Sequence, residues 1–293
     1  MKLTEIIAGN YETIDQTKIE SLYKKNNLTE KIITFLFEEK NKILNVNNLS
    51  KLNDELKIII HPFIQDVTPE DITTISVCLA AFEDHPQFIL VGFFLTALIN
   101  EHNKYTKKDI EYKIMTNHVQ KKLQGIGYQN RAHIYVCKNG GVNLGYLMHE
   151  GSIHVEGDCT DCVGVYMDGG TITINGSAKN YVGSSMNGGK ITVWGNVDTH
   201  AGENMTDGVI TIQGNANDLL AQHLNGGTIH VYGNAGKNIG KYMRNGIVYL
   251  HGTYEHISED HIAGQIFHQG KRIRSTPKKS IEKARELVKR LNL

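Results

Sequence analysis

A strict repeat dominates the second half of this 293-residue chain. Glycine returns at every nineteenth position in two complete columns, at positions 151, 170, 189, 208, 227 and 246 and at positions 157, 176, 195, 214, 233 and 252. A third glycine column, at positions 145, 164, 183, 202 and 240, is interrupted only by Ala221. Self-similarity at a fixed period of this length indicates a repeat architecture, in which each unit stacks on its neighbours.

Apolar residues recur with the same period and define the inside of each unit. Four apolar columns accompany the glycines: Leu144, Val163, Val182, Ala201, Leu220 and Ile239; Met148, Met167, Met186, Met205, Leu224 and Met243; Ile153, Ile172, Ile191, Ile210, Ile229 and Val248; and Val155, Ile174, Val193, Ile212, Val231 and Leu250. The last two columns lie two positions apart, which is typical of a β-strand that buries alternate side chains. Hexapeptide coils and calcium-binding nonapeptide coils are excluded, because their shorter periods are missing.

The columns predict a right-handed parallel β-helix of about seven turns over residues 126–270. Ahead of it, apolar residues at helical spacing predict a bundle of about six α-helices in residues 1–125. Thr68-Pro69-Glu70-Asp71 is a good helix start. Other helices are predicted over residues 15–25, 29–44, 50–60, 86–100 and 106–123. Behind the coil, Ser275-Thr276-Pro277 opens an amphipathic helix in the basic segment 271–293. The predicted fold class is therefore α+β, with two domains and a C-terminal helix.

Charge is distributed unevenly, although the chain is neutral overall. Residues 271–293 contain nine Lys and Arg against two Glu, so this tail carries a net charge of +7. Such a tail suits nucleic acid, anionic lipid or an acidic partner surface, and the alternative is a solvated helix face. A protein partner is preferred here, and no nucleic acid is expected.

Composition and segment lengths point to the cytoplasm. The start of the chain lacks the apolar stretch of a secretory signal. The longest apolar run, residues 88–99, is shorter than the roughly 20 residues that a bilayer span needs. The four cysteines are too few for a disulfide framework. We therefore expect no transmembrane segment, and membrane association only through partners.

The repeat resembles the GXGXG-type β-helix family. The string that carries the resemblance is Val163-Gly164-x-x-Met167-x-Gly169-Gly170-x-Ile172-x-Ile174-x-Gly176, which recurs in six turns. This domain is known at the C-terminus of the glutamate synthase large subunit and in one of the subunits of formylmethanofuran dehydrogenase, where it supports catalytic domains. The resemblance implies a structural role and no catalytic residue. It leaves open an accessory subunit of a one-carbon or glutamate-synthase-like enzyme complex.

The order and size of the two domains are similar to those of accessory subunits of the Dot/Icm type IV coupling complex. This resemblance covers the whole chain and rests on no single motif. It implies a non-enzymatic adaptor at the cytoplasmic face of the membrane, in a platform that recruits effector proteins for export. We take this as the leading hypothesis, with the enzyme-complex subunit as the alternative.

Three groups of residues invite a chemical interpretation and are better explained by packing. Cys159-Thr160-Asp161-Cys162 is a C-x-x-C pattern, but the positions equivalent to Cys159 in four later turns are Ala178, Val197, Ala216 and Ala235. Four histidines near the end of the coil have no familiar ligand spacing: His251, His256, His261 and His268. The acidic residues are spread over several turns and columns: Asp158, Asp161, Asp168, Asp198, Asp207 and Asp218. We therefore predict no catalytic, cofactor-binding or metal-binding residues.

Two apolar features remain as candidates for partner binding. Trp194 and Tyr232 occupy the same outward column of the strand, two turns apart, and exposed aromatic residues are enriched at interfaces. In the tail, an apolar stripe runs along the predicted basic helix: Ile281, Ala284, Leu287, Val288 and Leu291. This stripe suits either a cap on the open end of the coil or a partner's groove.

Overall fold

The computed structural model describes residues 28, 30–33, 49–84, 88–106, 109–117 and 119–274. These residues contain one ten-stranded sheet whose strands follow the order of the sequence. The strands are β1 (Glu111–Ile114), β2 (His133–Val136), β3 (Ser152–Val155), β4 (Thr171–Ile174), β5 (Lys190–Val193), β6 (Val209–Ile212), β7 (Thr228–Val231), β8 (Ile247–Leu250), β9 (Gln265–His268) and β10 (Lys271–Arg274). Neighbours from β1 to β9 are parallel, which confirms a parallel β-solenoid, with about eight turns rather than seven.

The predicted apolar columns line the inside of this solenoid. Ile153 pairs with Ile172, and Val155 with Ile174, so residues one period apart in sequence are direct neighbours. The strand columns, the Met column and the column that begins at Leu144 are buried throughout. Each turn thus buries its apolar side chains only by stacking on the next.

The two complete glycine columns serve different purposes. Gly170 has a φ of +79°, a conformation that few other residues adopt without strain. Gly195 instead lies close to the turn below it, because a Cβ atom there would be 2.7 Å from the carbonyl oxygen of Gly176. One column therefore sets the direction of the chain and the other allows close backbone approach.

The described part of the N-terminal segment is helical. Its helices are α1 (Leu49–Ile60), α2 (Pro69–Cys78) and α3 (Val91–Thr106), with 3₁₀ turns at Leu79–Phe82 and Phe88–Leu90. The predicted start of α2 is confirmed, because Thr68 and Asp71 form a reciprocal capping box and Pro69 occupies the first turn. Residues 30–33 are also helical. The helix predicted over residues 15–25 lies outside the described residues, as does most of the helix predicted over 29–44.

The helix predicted over residues 106–123 is wrong. Residues 111–114 form β1, which pairs Tyr112 with Ile134 and Ile114 with Val136. Tyr112 and Ile114 are fully buried, so the strand completes the coil's core ahead of residue 126. The step from Tyr112 to Ile134 is three positions longer than the regular period, and the comparison of columns therefore did not detect this turn.

The far end of the coil also differs from the prediction. Residues 271–274, which were assigned to the basic helical segment, form β10 antiparallel to β9. Gln269 and Gly270 connect the two strands with φ values of +47° and +78°, as in a two-residue type I′ hairpin turn. The rest of the tail, with Ile281, Leu287, Val288 and Leu291, lies outside the described residues.

The helices share one hydrophobic core with the solenoid. Helix α3 packs on the first turns of the coil, where the backbone at Gly92 approaches that of Gln124 and the ring of Phe93 contacts that of Tyr128 edge-on. In α2, the hydroxyl of Ser76 accepts a hydrogen bond from the backbone N–H of Met115, at 3.0 Å. Among the described residues, no helix is both long and apolar enough to span a bilayer.

Candidate partner-binding face of the solenoid

The outer surface of the parallel sheet carries a cluster of ring side chains toward its C-terminal half. We call this cluster the aromatic face and define it as Trp194, His230, Tyr232, Tyr249, His251 and Phe267. Its members come from two outward columns, the third residue of each strand and the residue just after the strand. Because side chains alternate along a strand, both columns point away from the core.

Trp194 and Tyr232 are the most exposed of the Trp, Tyr and Phe side chains on this face. Trp194 is 57% exposed and Tyr232 is 47% exposed. Their backbone N–H groups donate to Ile174 and Ile212 respectively, both at 2.9 Å, so the parallel ladder fixes both residues in position. Two turns separate them, which corresponds to about 10 Å at the usual strand spacing. The sequence prediction that both lie on one outward surface is confirmed.

The remaining rings of the face stack on one another. The ring of His251 lies 4.3 Å from that of Tyr232, with 5° between the planes. Tyr249 stacks on His230 at 4.7 Å and on Phe267 at 5.1 Å. Such contacts hold the rings in fixed orientations, and a rigid surface loses little entropy when a partner binds.

Sequence reasoning named the columns of this cluster but singled out only Trp194 and Tyr232. The signal for the stack was present, because Tyr249 follows His230 and His251 follows Tyr232 by one full period. Phe267 was hidden by a change of period, since it pairs with Tyr249 at a step one position shorter than the rest.

Most of the sheet surface around the aromatic face is uncharged, but Arg272 of β10 lies opposite Phe267 at its edge. Among the outward positions of β3 to β9 and the residue after each strand, only Glu156 and Lys190 are Asp, Glu, Lys or Arg. Burial, and then the neighbouring His251, lower the pKa of His230, so its imidazole is neutral near pH 7. A flat surface with few charges and exposed aromatic rings resembles the central part of a protein interface.

The C-x-x-C pattern does not form a comparable site. Cys159 points into the core beside Gly140, and burial raises the pKa of its thiol to about 12. Cys162 lies on a corner of the coil with a φ of +66°, and burial raises its pKa as well. A thiol with a raised pKa is a poor nucleophile, because nucleophilic attack needs the thiolate.

The histidines near the end of the coil have separate surroundings. His251 belongs to the aromatic face, while a ring nitrogen of His268 lies 3.0 Å from the carbonyl oxygen of Gly252. His261 is buried and His256 is exposed. Within the described part of the chain, no three His, Cys, Asp or Glu side chains are grouped so that they could hold a metal ion.

Several acidic side chains accept hydrogen bonds from backbone N–H groups of the next turn of the coil. A column of small polar side chains, which we call the polar ladder, lies just beyond the ends of the strands: Asn139, Asp158, Ser177, Asn196, Asn215 and Asn234. Each side-chain oxygen accepts the backbone N–H of the residue 19 positions later, at 2.7–3.2 Å. Asp161 and Asp218 accept backbone N–H groups in a neighbouring column. Sequence reasoning missed this ladder, because the acidic residues were considered apart from the Asn and Ser of the same column.

No protein-family model matches the chain, and none of the curated proteins compared with it is detectably similar in sequence. The site is therefore interpreted from its own geometry.

Proposed function

We propose that this protein is a non-enzymatic scaffold or adaptor subunit of a multiprotein complex, and that a protein partner binds the aromatic face. The observation that carries the proposal is the exposure of Trp194 and Tyr232 on a regular sheet surface with few charges. Burial of such rings contributes strongly to association, and tryptophan and tyrosine are enriched among residues that dominate binding energy.

The surroundings of the chemically active side chains support a structural role. The carboxylates of Asp158, Asp161 and Asp218 accept backbone hydrogen bonds between turns. The thiols of Cys78 and Cys159 are buried, and burial raises the pKa of each to about 12. These groups serve backbone hydrogen bonding and core packing, and none of them belongs to the aromatic face.

The complex that we favour is a type IV secretion coupling complex at the cytoplasmic face of the membrane. The order of a helical segment followed by a GXGXG-type coil supports it, as does the resemblance described from the sequence. An accessory subunit of a one-carbon or glutamate-synthase-like enzyme complex is the second candidate, and the repeated Gly, Met and Ile columns favour it specifically.

Affinity purification of the tagged full-length chain from its native cell tests the proposal. We expect a coupling ATPase and effector chaperones among the co-purified proteins, whereas formyltransferase or synthase subunits would favour the second candidate. The Trp194→Ala and Tyr232→Ala variants should lose these partners. Thr171→Ala, an outward substitution at the start of β4 where the paired residue is Lys190 and not a ring, should keep them. Retention of all partners by the Trp194→Ala/Tyr232→Ala double variant would rule out the aromatic face as the docking surface.

A further inference from the structure

A cleft opens where the segment after β1 meets the first turns of the coil. Its volume is about 300 Å³. Thr116 and residues 119–123 line one side, and Asn139, Gly141, residues 158–160 and Lys179 line the other. None of these residues belongs to the aromatic face, so the cleft is independent of the proposed docking surface.

The hydroxyl of Thr116 is the unusual feature of this cleft. Thr116 is only 4% exposed, and its Oγ1 atom has no hydrogen-bond partner within the part of the chain that the structure describes. A buried hydroxyl without a hydrogen-bond partner is unfavourable, and such groups are rare in native proteins. Thr116 is part of the cleft lining, so a ligand bound in the cleft would lie next to this residue.

The charges of the lining favour an anion. Lys121 is engaged elsewhere, because its ammonium group contacts the carboxylate of Asp84 at 3.1 Å and the carbonyl oxygen of Glu83 at 2.7 Å. Lys122 and Lys179 are exposed and form no ion pair among the described residues. Asp158 is the only acidic residue in the lining. The two unpaired cations therefore outnumber the one carboxylate.

Lys122 and Lys179 reach the cleft from different segments of the chain. Lys122 follows β1, whereas Lys179 follows β4, three turns further along the coil and beyond the polar ladder. One Asp158 oxygen already accepts the backbone N–H of Ser177 at 2.7 Å, and the carboxylate keeps capacity for a second donor. The lining thus offers two cations, one hydroxyl and one acceptor to a small molecule.

We propose that this cleft binds a small oxyanion, a carboxylate or phosphate that also carries a hydroxyl group. The ammonium groups of Lys122 and Lys179 pair with the anionic oxygens, since lysine binds such groups as a compact positive charge. The Thr116 hydroxyl donates to one of these oxygens, and Asp158 accepts a hydrogen bond from the ligand's hydroxyl.

Calorimetric titration of the full-length protein with inorganic phosphate and with citrate, at low ionic strength, tests this proposal. We expect saturable binding of at least one of them, and the two titrations show whether the site prefers phosphate or carboxylate. Lys122→Gln and Lys179→Gln should each raise the Kd about tenfold, as loss of one charged hydrogen bond does. Lys190→Gln removes the same charge from the outer sheet and should leave the Kd unchanged.

Thr116→Val separates a ligand-binding hydroxyl from a structural one. Because the hydroxyl has no partner among the described residues, its removal should not lower the Tm, yet it should raise the Kd about five- to tenfold. Absence of saturable binding for both anions up to about 10 mM would overturn the proposal, since this limit corresponds to almost no affinity. Equal affinity in the Lys122→Gln/Lys179→Gln double variant would overturn it as well.

Discussion

Gly202 lies against Ile229 inside the coil, so closely that a Cβ atom added to Gly202 would be 2.3 Å from the δ-methyl carbon of Ile229. The same relationship recurs one turn earlier between Gly183 and Ile210, at 2.4 Å. In each pair the isoleucine belongs to the second strand after the glycine. The third glycine column is therefore required by the isoleucine column that it faces.

The interruption of that glycine column at Ala221 follows the same rule. The residue at the equivalent position of the second strand after Ala221 is Val248, which lacks the δ-methyl group and is the only valine in its column. Both residues are fully buried, and Ala221 has a φ of +59°. Compared with the glycine–isoleucine contacts of the other turns, this contact therefore has one more methyl group at Ala221 and one fewer at Val248.

This compensation predicts how substitutions at the contact combine. Gly202→Ala should lower the free energy of unfolding by about 2–3 kcal/mol, because it overpacks the core and places a side chain at positive φ. Ile229→Val alone should cost about 1 kcal/mol. The double variant should lose at least about 1 kcal/mol less free energy of unfolding than the sum of the losses of the two single variants. Urea unfolding followed by circular dichroism would measure these losses.

A matched control shows whether this coupling is specific. Ile174→Val removes the same methyl group from another turn, and its combination with Gly202→Ala should be additive within about 0.5 kcal/mol. Equal coupling for Ile229→Val and Ile174→Val would contradict the packing rule.

The polar ladder makes a second prediction. Asn196→Ala removes the acceptor for the backbone N–H of Asn215, a hydrogen bond of 2.8 Å, and should lower the free energy of unfolding by about 1 kcal/mol. Asn217→Ala is the matched control, because the side chain of Asn217 is exposed and donates only to the carboxylate of Asp198. This control should change stability by less than about 0.5 kcal/mol in the same urea titration. Similar losses in the two variants would mean that the ladder adds no stability of its own.

The strict period explains what the sequence could and could not predict. Every inward column from Leu144 to Leu250 was predicted correctly, because identical neighbours must stack at one fixed interval. Outward residues obey no such restraint, so Trp194 and Tyr232 were recognised by residue type and the stack around Tyr249 was not recognised. The position of Thr116 in a cleft depends on contacts between distant segments, which no single-sequence pattern records.

The ends of the coil show the limit of the period most clearly. The step is three positions longer than the period at β1 and one position shorter at β9, so both terminal turns fall out of phase with the rest. The residues around β1 also have apolar spacing that suits a helix, and only pairing with β2 decides between the two structures. The helical preference of these residues was therefore outweighed by hydrogen bonding to the edge strand β2.

The junction between α3 and the coil provides a third prediction. The buried hydroxyl of Thr96 accepts a hydrogen bond from the backbone N–H of Gly127 and donates one to the carbonyl oxygen of Gly92, both at 2.8 Å. Thr96→Val keeps the shape of the side chain but leaves the N–H unpaired, which should cost about 1–3 kcal/mol. Thr96→Ser keeps the hydroxyl and should cost less than Thr96→Val. A smaller loss for the valine variant in thermal or urea unfolding would show that this hydrogen bond does not join the two parts.

The imidazole of His102 leads to a prediction about pH. Its Nδ1 atom lies 2.9 Å from the hydroxyl oxygen of Tyr112, and both side chains are buried. Burial lowers the pKa of His102 below the value of about 6.5 that the unfolded chain has. The unfolded state therefore binds more protons than the folded state in this range, so this contribution to stability is complete above about pH 6.5 and declines as the pH falls below it.

Urea unfolding at pH 7.5 and at pH 5.5 would measure this dependence. We expect the free energy of unfolding to fall between these two values in the unmodified protein and to fall less in His102→Gln, which does not titrate and can still bond to the Tyr112 hydroxyl. His230 has a lowered pKa too and contributes with the same sign, so the slope should decrease and not vanish. His256→Gln, a substitution at an exposed histidine, should keep the full slope. An unchanged slope in His102→Gln would mean that the buried imidazole is not a source of the acid sensitivity.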